Sequence, residues 1–239
     1  MASSAPAPRP VLLGEVFPDF ACETTTGNFT FHEFLTSDEK RPWTVLFTHP
    51  NDFTPVCTTE LSCAAGLEHE FNKRGVKMIG LSCNTVESHG KWTEDILKMD
   101  EGTKLPSCST LPFPIIADLD RAIVTKLGML DPAEQSAEGL PLPARCLYVI
   151  GPDKRMKLSI LYPATTGRNF DEILRVIDSL QLTAKHKLAT PVNWRAGDRL
   201  VVTPALSSED AQAKFKNFEV KSLPSGKEYL RYVDAPTSP

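Results

Sequence analysis

Between residues 43 and 182 the chain alternates short apolar runs with stretches in which apolar residues recur every three or four positions. Trp43–Thr48 (WTVLFT) and Val76–Ser82 (VKMIGLS) are apolar runs of strand length, the pattern of strands buried on both faces. Pro55 to about Arg74 reads as a helix between them, so this region predicts a β-α-β unit. A helical stretch at about 86–99, a short strand at 114–117 and a helix near 121–127 continue the alternation. Cys146–Ile150 and Met156–Tyr162 flank the turn signal Gly151-Pro-Asp-Lys154 and predict a hairpin. In its second strand Met156, Leu158, Ile160 and Tyr162 alternate with Lys157, Ser159 and Leu161, which predicts a sheet with one half-exposed face. Asn169 with Glu172 three residues on signals a helix start, and Phe170, Ile173, Leu174, Ile177 and Leu180 follow at helical spacing. The alternation predicts an α/β domain, a sheet covered by helices.

The pattern changes after Leu182. Residues 183–198 read as a linker, and 199–239 hold short strand-like pieces (LVVTP, KEYLRY) with a helix at Ser208–Phe215. The expected division is a main domain over 1–182 and, over 183–239, a linker with a C-terminal piece too small to bury a core alone.

Composition narrows the function classes. The 239 residues are 41% hydrophobic and 23% charged, ordinary for a globular protein. A net charge of -4 without a Lys/Arg-rich run argues against nucleic acid as a partner. No stretch approaches the roughly 18–20 apolar residues of a membrane span. The start MASSAPAPRP lacks the basic and apolar regions of a secretion signal, so a cytoplasmic location without membrane insertion is expected.

Six cysteines, at 22, 57, 63, 83, 108 and 146, are scattered without a C-x-x-C pair. Most should be small core hydrophobes. Cys57 differs by position. In His49-Pro-Asn-Asp-Phe-Thr-Pro-Val-Cys57 a strand gives way to a helix, with Thr54 at the N-cap, Pro55 in the first turn and Cys57 at about the third position. Unpaired N–H groups and the positive end of the helix dipole favour an anion there, and a thiolate is such an anion. His32, His69, His89 and His186 show no H-E-x-x-H or related ligand spacing, so no metal site and no cofactor are expected.

Pro50-Asn-Asp-Phe-Thr54-Pro-Val-Cys57 resembles the peroxiredoxin signature Pro-x-x-x-Thr/Ser-x-x-Cys. The stretches LPFPIIAD, LGMLDPAE, KLSILYPATTGRNFDEILRVIDSLQLTA, PVNW and LPSGKEYLRY are similar to the one-cysteine peroxiredoxins, and the resemblance runs from about Leu13 to Tyr232. It implies a thioredoxin-like fold, with a central mixed sheet flanked by helices, followed by a small C-terminal α+β domain. It also implies that Cys57 attacks a peroxide, that Thr54 hydrogen-bonds the peroxide oxygens, that Pro50 screens the sulfur and that Arg145 brings a positive charge to it. His49, Glu60 and Arg168 match positions around the same pocket, as orienting or proton-handling groups. In some members the family also carries a Ser-His-Asp phospholipase set. His32 and Asp153 match here, but Pro42 stands where the serine would sit, so that activity is not expected.

Attack on peroxide leaves a sulfenic acid that a second thiol must reduce. No cysteine follows Cys146, which removes a C-terminal resolving thiol. Cys63 lies six residues further along the Cys57 helix, roughly 9 Å up its axis and beyond disulfide reach. Cys146 neighbours Arg145 in a strand and should face the other way. Cys22, Cys83 and Cys108 stay open as resolving thiols. The expected activity is a thiol peroxidase acting on hydrogen peroxide and organic or lipid hydroperoxides, reduced by an external thiol such as glutathione. A redox sensor or holdase-like binding protein switched by oxidation of Cys57 is the alternative. The half-exposed strand 156–162 and the resemblance to dimeric relatives both point to a homodimer.

Overall fold

Residues 9–99 and 109–236 are described by the structure, a computed structural model. Cys108 lies outside them. A hairpin of β1 (Ala21–Thr24) and β2 (Gly27–Thr30) runs into α1 (Phe31–Thr36), whose start is closed by the reciprocal Thr30–Glu33 capping box. Then come β3 (Trp43–Thr48), α2 (Pro55–Gly66), α3 (Glu68–Lys73), β4 (Val76–Ser82), α4 (Val86–Lys98), β5 (Ile115–Ala117) and α5 (Ala122–Leu127). A small hairpin of β6 (Leu130–Gln135) and β7 (Pro141–Pro143) precedes β8 (Arg145–Ile150) and β9 (Met156–Tyr162). The remainder holds α6 (Phe170–Lys185), β10 (Leu188–Ala189), β11 (Leu200–Val202), α7 (Ser208–Lys214), β12 (Glu219–Val220) and β13 (Arg231–Val233).

The chain forms two compact units, one ending at Phe170 and the other beginning at Asp171. The boundary expected at Leu182 falls inside α6, because its helical pattern continues unbroken to Lys185. The single helix expected over 55–74 is interrupted at Leu67, which caps α2 and precedes α3. The break follows Gly66, the weakest helix former in the interior of that stretch.

In the first unit seven strands form one sheet in the order β2-β1-β5-β4-β3-β8-β9. β3, β4 and β5 run parallel, and β8, β9, β1 and β2 add antiparallel strands at either side, which makes the sheet mixed. β3 and β4 are buried at every residue, as their continuous apolar runs require. A core cluster built on Phe17, Phe31, Leu46, Ile79, Ile116 and Tyr148 fills one region of this unit. α2 packs against α4, and α4 against β5.

The second unit contains an antiparallel sheet in the order β10-β11-β13-β12. β10 lies within the stretch expected to be a linker. Leu188, Trp194, Leu200, Val202, Leu206 and Val233 form a core of its own, with Leu182 of α6 packed on it. The segment thus does not build this core alone, since α6 contributes to it. Among the described residues no helix is long and apolar enough to cross a membrane.

Candidate active site

The pairing of β3 with β8 decides where the site lies. The last paired residues are Phe47 and Leu147, so the carboxyl end of β3 emerges beside the amino end of β8. His49 and Pro50 therefore leave one strand where Arg145 begins the other. β8 pairs with β9 so that Arg145 lies opposite Tyr162, and the loop after Tyr162 returns Ala164 and Arg168 to the same corner. α2 starts there as well.

Thr54 occupies the N-cap of α2 and Pro55 its first position, which places Cys57 at the third. The Thr54 side chain does not cap the helix. Its hydroxyl donates instead to the Asn51 carbonyl at 2.9 Å, so Thr54 leaves the first amides of α2 uncapped by its side chain. Pro50 is buried, Thr54 half-buried, and Cys57 has no exposed surface. Phe53 sits at φ +53°, a left-handed conformation that bulky residues rarely adopt, and is 55% exposed.

The sulfur of Cys57 faces a guanidinium. Arg145 Nη1 lies 3.4 Å from Cys57 Sγ and 2.7 Å from Glu60 Oε2, while Nε and Nη2 donate to the Ala164 carbonyl at 2.9 and 2.7 Å. Glu60 stands one turn beyond Cys57 on α2, on the same face. It receives the Arg168 backbone N–H and Nε on Oε1, at 2.7 and 3.0 Å, and Arg168 Nη2 on Oε2 at 2.7 Å. Arg168 Nη1 donates to the Cys146 carbonyl at 3.0 Å, and its guanidinium lies over the Phe47 ring. Burial alone would raise the Glu60 pKa. The charges and hydrogen bonds of Arg168, with the charge of Arg145, outweigh it and hold the carboxyl below its usual range. Two cations thus meet one fixed anion in a buried corner, and an anionic sulfur at Cys57 would balance the excess charge.

The fold adds a second cluster that no motif announced. His49 Nε2 donates to Asp52 Oδ1 and His89 Nδ1 to Asp52 Oδ2, both at 2.8 Å, and Ser88 Oγ donates to Oδ2 at 2.7 Å. Burial would raise Asp52, but its two histidine hydrogen bonds hold it well below the usual carboxylate range. For His49 burial is the largest influence, and the pKa is pushed down despite the bond to Asp52. Trp92 of α4 lies against His49 and donates to Thr58 Oγ1 at 3.2 Å. The His49, Asp52 and His89 ligand atoms all lie within 4.8 Å of one another, a spacing that also suits a metal ion. Both carboxylate oxygens are already engaged by imidazole donors, so hydrogen bonding accounts for the grouping.

The chain matches the AhpC/TSA family over residues 13–159 and the C-terminal domain of 1-Cys peroxiredoxin over 179–217. It is 55% identical to peroxiredoxin-6 of Gallus gallus, covering 95% of this chain and 98% of that one. It is 53% identical to human peroxiredoxin-6, covering 96% and 100%. The chain belongs to the 1-Cys peroxiredoxins. A cysteine-to-serine mutant of peroxiredoxin 6 from Arenicola marina superposes with a TM-score of 0.88 at 54% identity, over 95% of this chain and all of that one. A yeast mitochondrial 1-Cys peroxiredoxin, described as resolved through glutathione and thioredoxin systems, has a TM-score of 0.78 at 39% identity, over 94% and 99%. The fold is therefore thioredoxin-like, and this peroxiredoxin is a thiol peroxidase of the 1-Cys type.

The other cysteines of this peroxiredoxin sit in different surroundings. Burial pushes Cys22 and Cys83 up to about 12 and Cys146 up to about 11, values that leave thiols protonated and inert at neutral pH. Cys146 belongs to the main core cluster, so it does face away from Arg145. Cys63 is half-buried on α2. His32 bonds the Phe17 carbonyl and Asp153 pairs with Lys157, so these two are engaged elsewhere and not with each other.

Proposed function

We propose that Cys57 is the peroxidatic nucleophile, with Thr54, Pro50 and Arg145 as its immediate partners. The observation that carries this reading is the 3.4 Å approach of Arg145 Nη1 to a buried sulfur on the first turn of α2. The sulfur attacks the terminal oxygen of a hydroperoxide, an S–O bond forms as the O–O bond breaks, and the leaving oxygen takes a proton to depart as water or an alcohol. Thr54 Oγ1, whose hydrogen points to Asn51, keeps lone pairs to accept from the peroxide hydrogen. Arg145 balances the charge that spreads from sulfur to oxygen. Pro50 screens the sulfur from water. Glu60 and Arg168 hold Arg145 in place, and His49 handles the proton.

The product is a sulfenic acid on Cys57. An external thiol, of which glutathione is one, attacks it to give a mixed disulfide and water, and a second thiol releases Cys57. The protonated state of Cys22, Cys83 and Cys146 supports an external reductant. The substrates we assign are hydrogen peroxide and organic or lipid hydroperoxides, for which the exposed Phe53 supplies an apolar contact. β9 is an edge strand paired on one side, by β8, and its Leu161 is 67% exposed, which supports a homodimer joined along that edge. The location we assign is the cytoplasm.

The test is mass spectrometry of the reduced full chain after one equivalent of hydrogen peroxide, with a sulfenic-acid trap present. A trapped adduct on Cys57 without a disulfide is expected. An unmodified Cys57 overturns the assignment. A disulfide to another cysteine, including Cys108, overturns the external reductant. Oxidation-dependent client binding without turnover would instead support a redox sensor.

A further inference from the structure

His89 stands on the first turn of α4, forty residues from His49 in sequence, yet both imidazoles end on one carboxylate. The three side chains are sealed, with His49 and His89 at 0% exposure and Asp52 at 5%. An ionised carboxylate only accepts hydrogen bonds, so the ring nitrogens facing Asp52 must both carry hydrogen. In a neutral imidazole the other nitrogen then holds a lone pair. Those two atoms, His49 Nδ1 and His89 Nε2, are buried and have no partner among the described residues. Such groups are rare in folded proteins, and two of them on imidazoles that share one carboxylate call for a role.

We propose that His89 is a positioning residue for the peroxidase reaction: through Asp52 it fixes His49 in the tautomer whose Nδ1 lone pair is free to take a proton. This rests on the reading of His49 as a proton handler given above. Reduction of a hydroperoxide by a thiol needs one proton moved, since the S–H bond is lost and an O–H bond is made on the leaving alkoxide. A His49 that handles this proton holds it on Nδ1, the nitrogen turned away from Asp52, and gives it up to the alkoxide, so the imidazole ends as it began. A neutral His49 is required at the start.

His89 secures that state in two ways. It shares the Asp52 carboxylate, which weakens the pull of that charge for a proton on His49. It also holds Asp52 in place together with Ser88 and with Asn84, whose Oδ1 accepts the Asp52 backbone N–H at 3.1 Å. The charged and titratable groups that act on His49 are Asp52 from its own loop, His89 from α4 and Arg168 from the loop before α6. Asp52 favours the imidazolium, and the other two oppose it. Removing His89 therefore tips His49 toward the protonated form, in which Nδ1 has no lone pair to offer.

The experiment compares His89→Asn with His89→Leu in the full chain. Asparagine keeps an N–H donor where His89 Nδ1 stands, and leucine keeps bulk without a donor. For His89→Leu the acid limb of kcat/KM for hydrogen peroxide should move to higher pH, so that the rate falls about tenfold at pH 6, the worth of one net hydrogen bond, and recovers at pH 9. His89→Asn should keep the parent profile. Equal losses for both variants at every pH would mean a packing role and overturn the proposal. If His89→Leu does not fold, ¹⁵N NMR of the reduced parent decides. Hydrogen on His49 Nε2 is expected, and hydrogen on Nδ1 or a stoichiometric divalent metal on the three residues overturns the proposal. The NMR result does not depend on turnover, so failure of the Cys57 assignment would show separately in the trapping experiment.

Discussion

Replacing Glu60 with glutamine tests whether one buried carboxylate carries the catalytic corner. The substitution keeps shape and removes charge. Glu60 accepts four N–H groups, two on each oxygen, and the residues involved are 2–7% exposed. Glutamine retains one oxygen, so two contacts persist while its amide N–H₂ meets the other two donors head-on. Two guanidinium groups are then left buried without their carboxylate. Breaking a buried ion pair from one side costs about 3–5 kcal/mol. For a chain of this size that is a fall in melting temperature of about 6–20 °C. Salt should not mend or mimic the loss, because buried pairs are screened far less than surface ones.

The same change frees Arg145 from its tether, and the rate of peroxide reduction should fall about 100-fold, the order found when one fixed donor to a developing charge is lost. Urea unfolding supplies the stability difference, and stopped-flow reduction of hydrogen peroxide supplies the rate. A variant within about 1 kcal/mol of the parent and within twofold of its rate would refute the reasoning. The guanidinium groups would then be held by their carbonyl partners, Ala164 and Cys146, and not by the charge on Glu60.

Acid should unfold the protein in two stages. The folded-state pKa of His49 lies below its ordinary 6.5, so its contribution is complete above pH 6.5 and is lost as pH falls below it; Glu60 and Asp52, also lowered, add losses below their ordinary 4.5 and 3.8. A urea midpoint that rises between pH 7 and 5 would contradict this. Burial pushes Lys77 down to about 8, so the unfolded chain binds more protons between pH 8 and its ordinary 10.5, and stability should rise with pH there. Lys77→Met, which removes the donor to the Phe34 and Leu35 carbonyls at the end of α1, should flatten that rise and cost about 1–3 kcal/mol at pH 7 by urea unfolding. Arg231 is 8% exposed and, among the described residues, bonds the Thr203 carbonyl and Ser208 Oγ and leaves its Nε unpaired. Ser208→Glu should therefore stabilise the chain by about 1 kcal/mol through a charged hydrogen bond, and a loss of stability would show that the guanidinium is already satisfied.

What could be read from the sequence depended on how local the cause was. β3 and β4 were legible because burial on both faces leaves a continuous apolar run. The β8–β9 hairpin was legible from its turn. The first 42 residues were not assigned, although Thr30 and Glu33 carry a capping-box spacing that marks the start of α1. β1 and β2 are only four residues each, too short for alternation to stand out. The two compact units divide at Phe170 and Asp171, whereas the change in sequence pattern comes after Leu182, because α6 keeps its helical periodicity across that stretch.

The site divides along the same line. Thr54, Pro55, Cys57 and Glu60 lie within seven residues, and helix geometry alone puts sulfur and carboxylate on one face. Arg145 and Arg168 reach them only because β8 pairs with β3 and the chain turns back after β9, and neither pairing is written near Cys57. Asp52, Ser88, His89 and Trp92 were missed because nothing in their spacing distinguishes a buried polar residue from a surface one. Their burial becomes intelligible once the charges are counted. An aspartate in a sealed corner requires donors, two imidazoles and a hydroxyl supply them, and the spare imidazole nitrogen that results is a base without a partner. Beside it, two guanidinium groups on one glutamate form a cation without a full counter-ion. An anionic sulfur at Cys57 would offset that excess, so the glutamate and the sulfur, one turn apart on α2, would divide the two guanidinium charges between them.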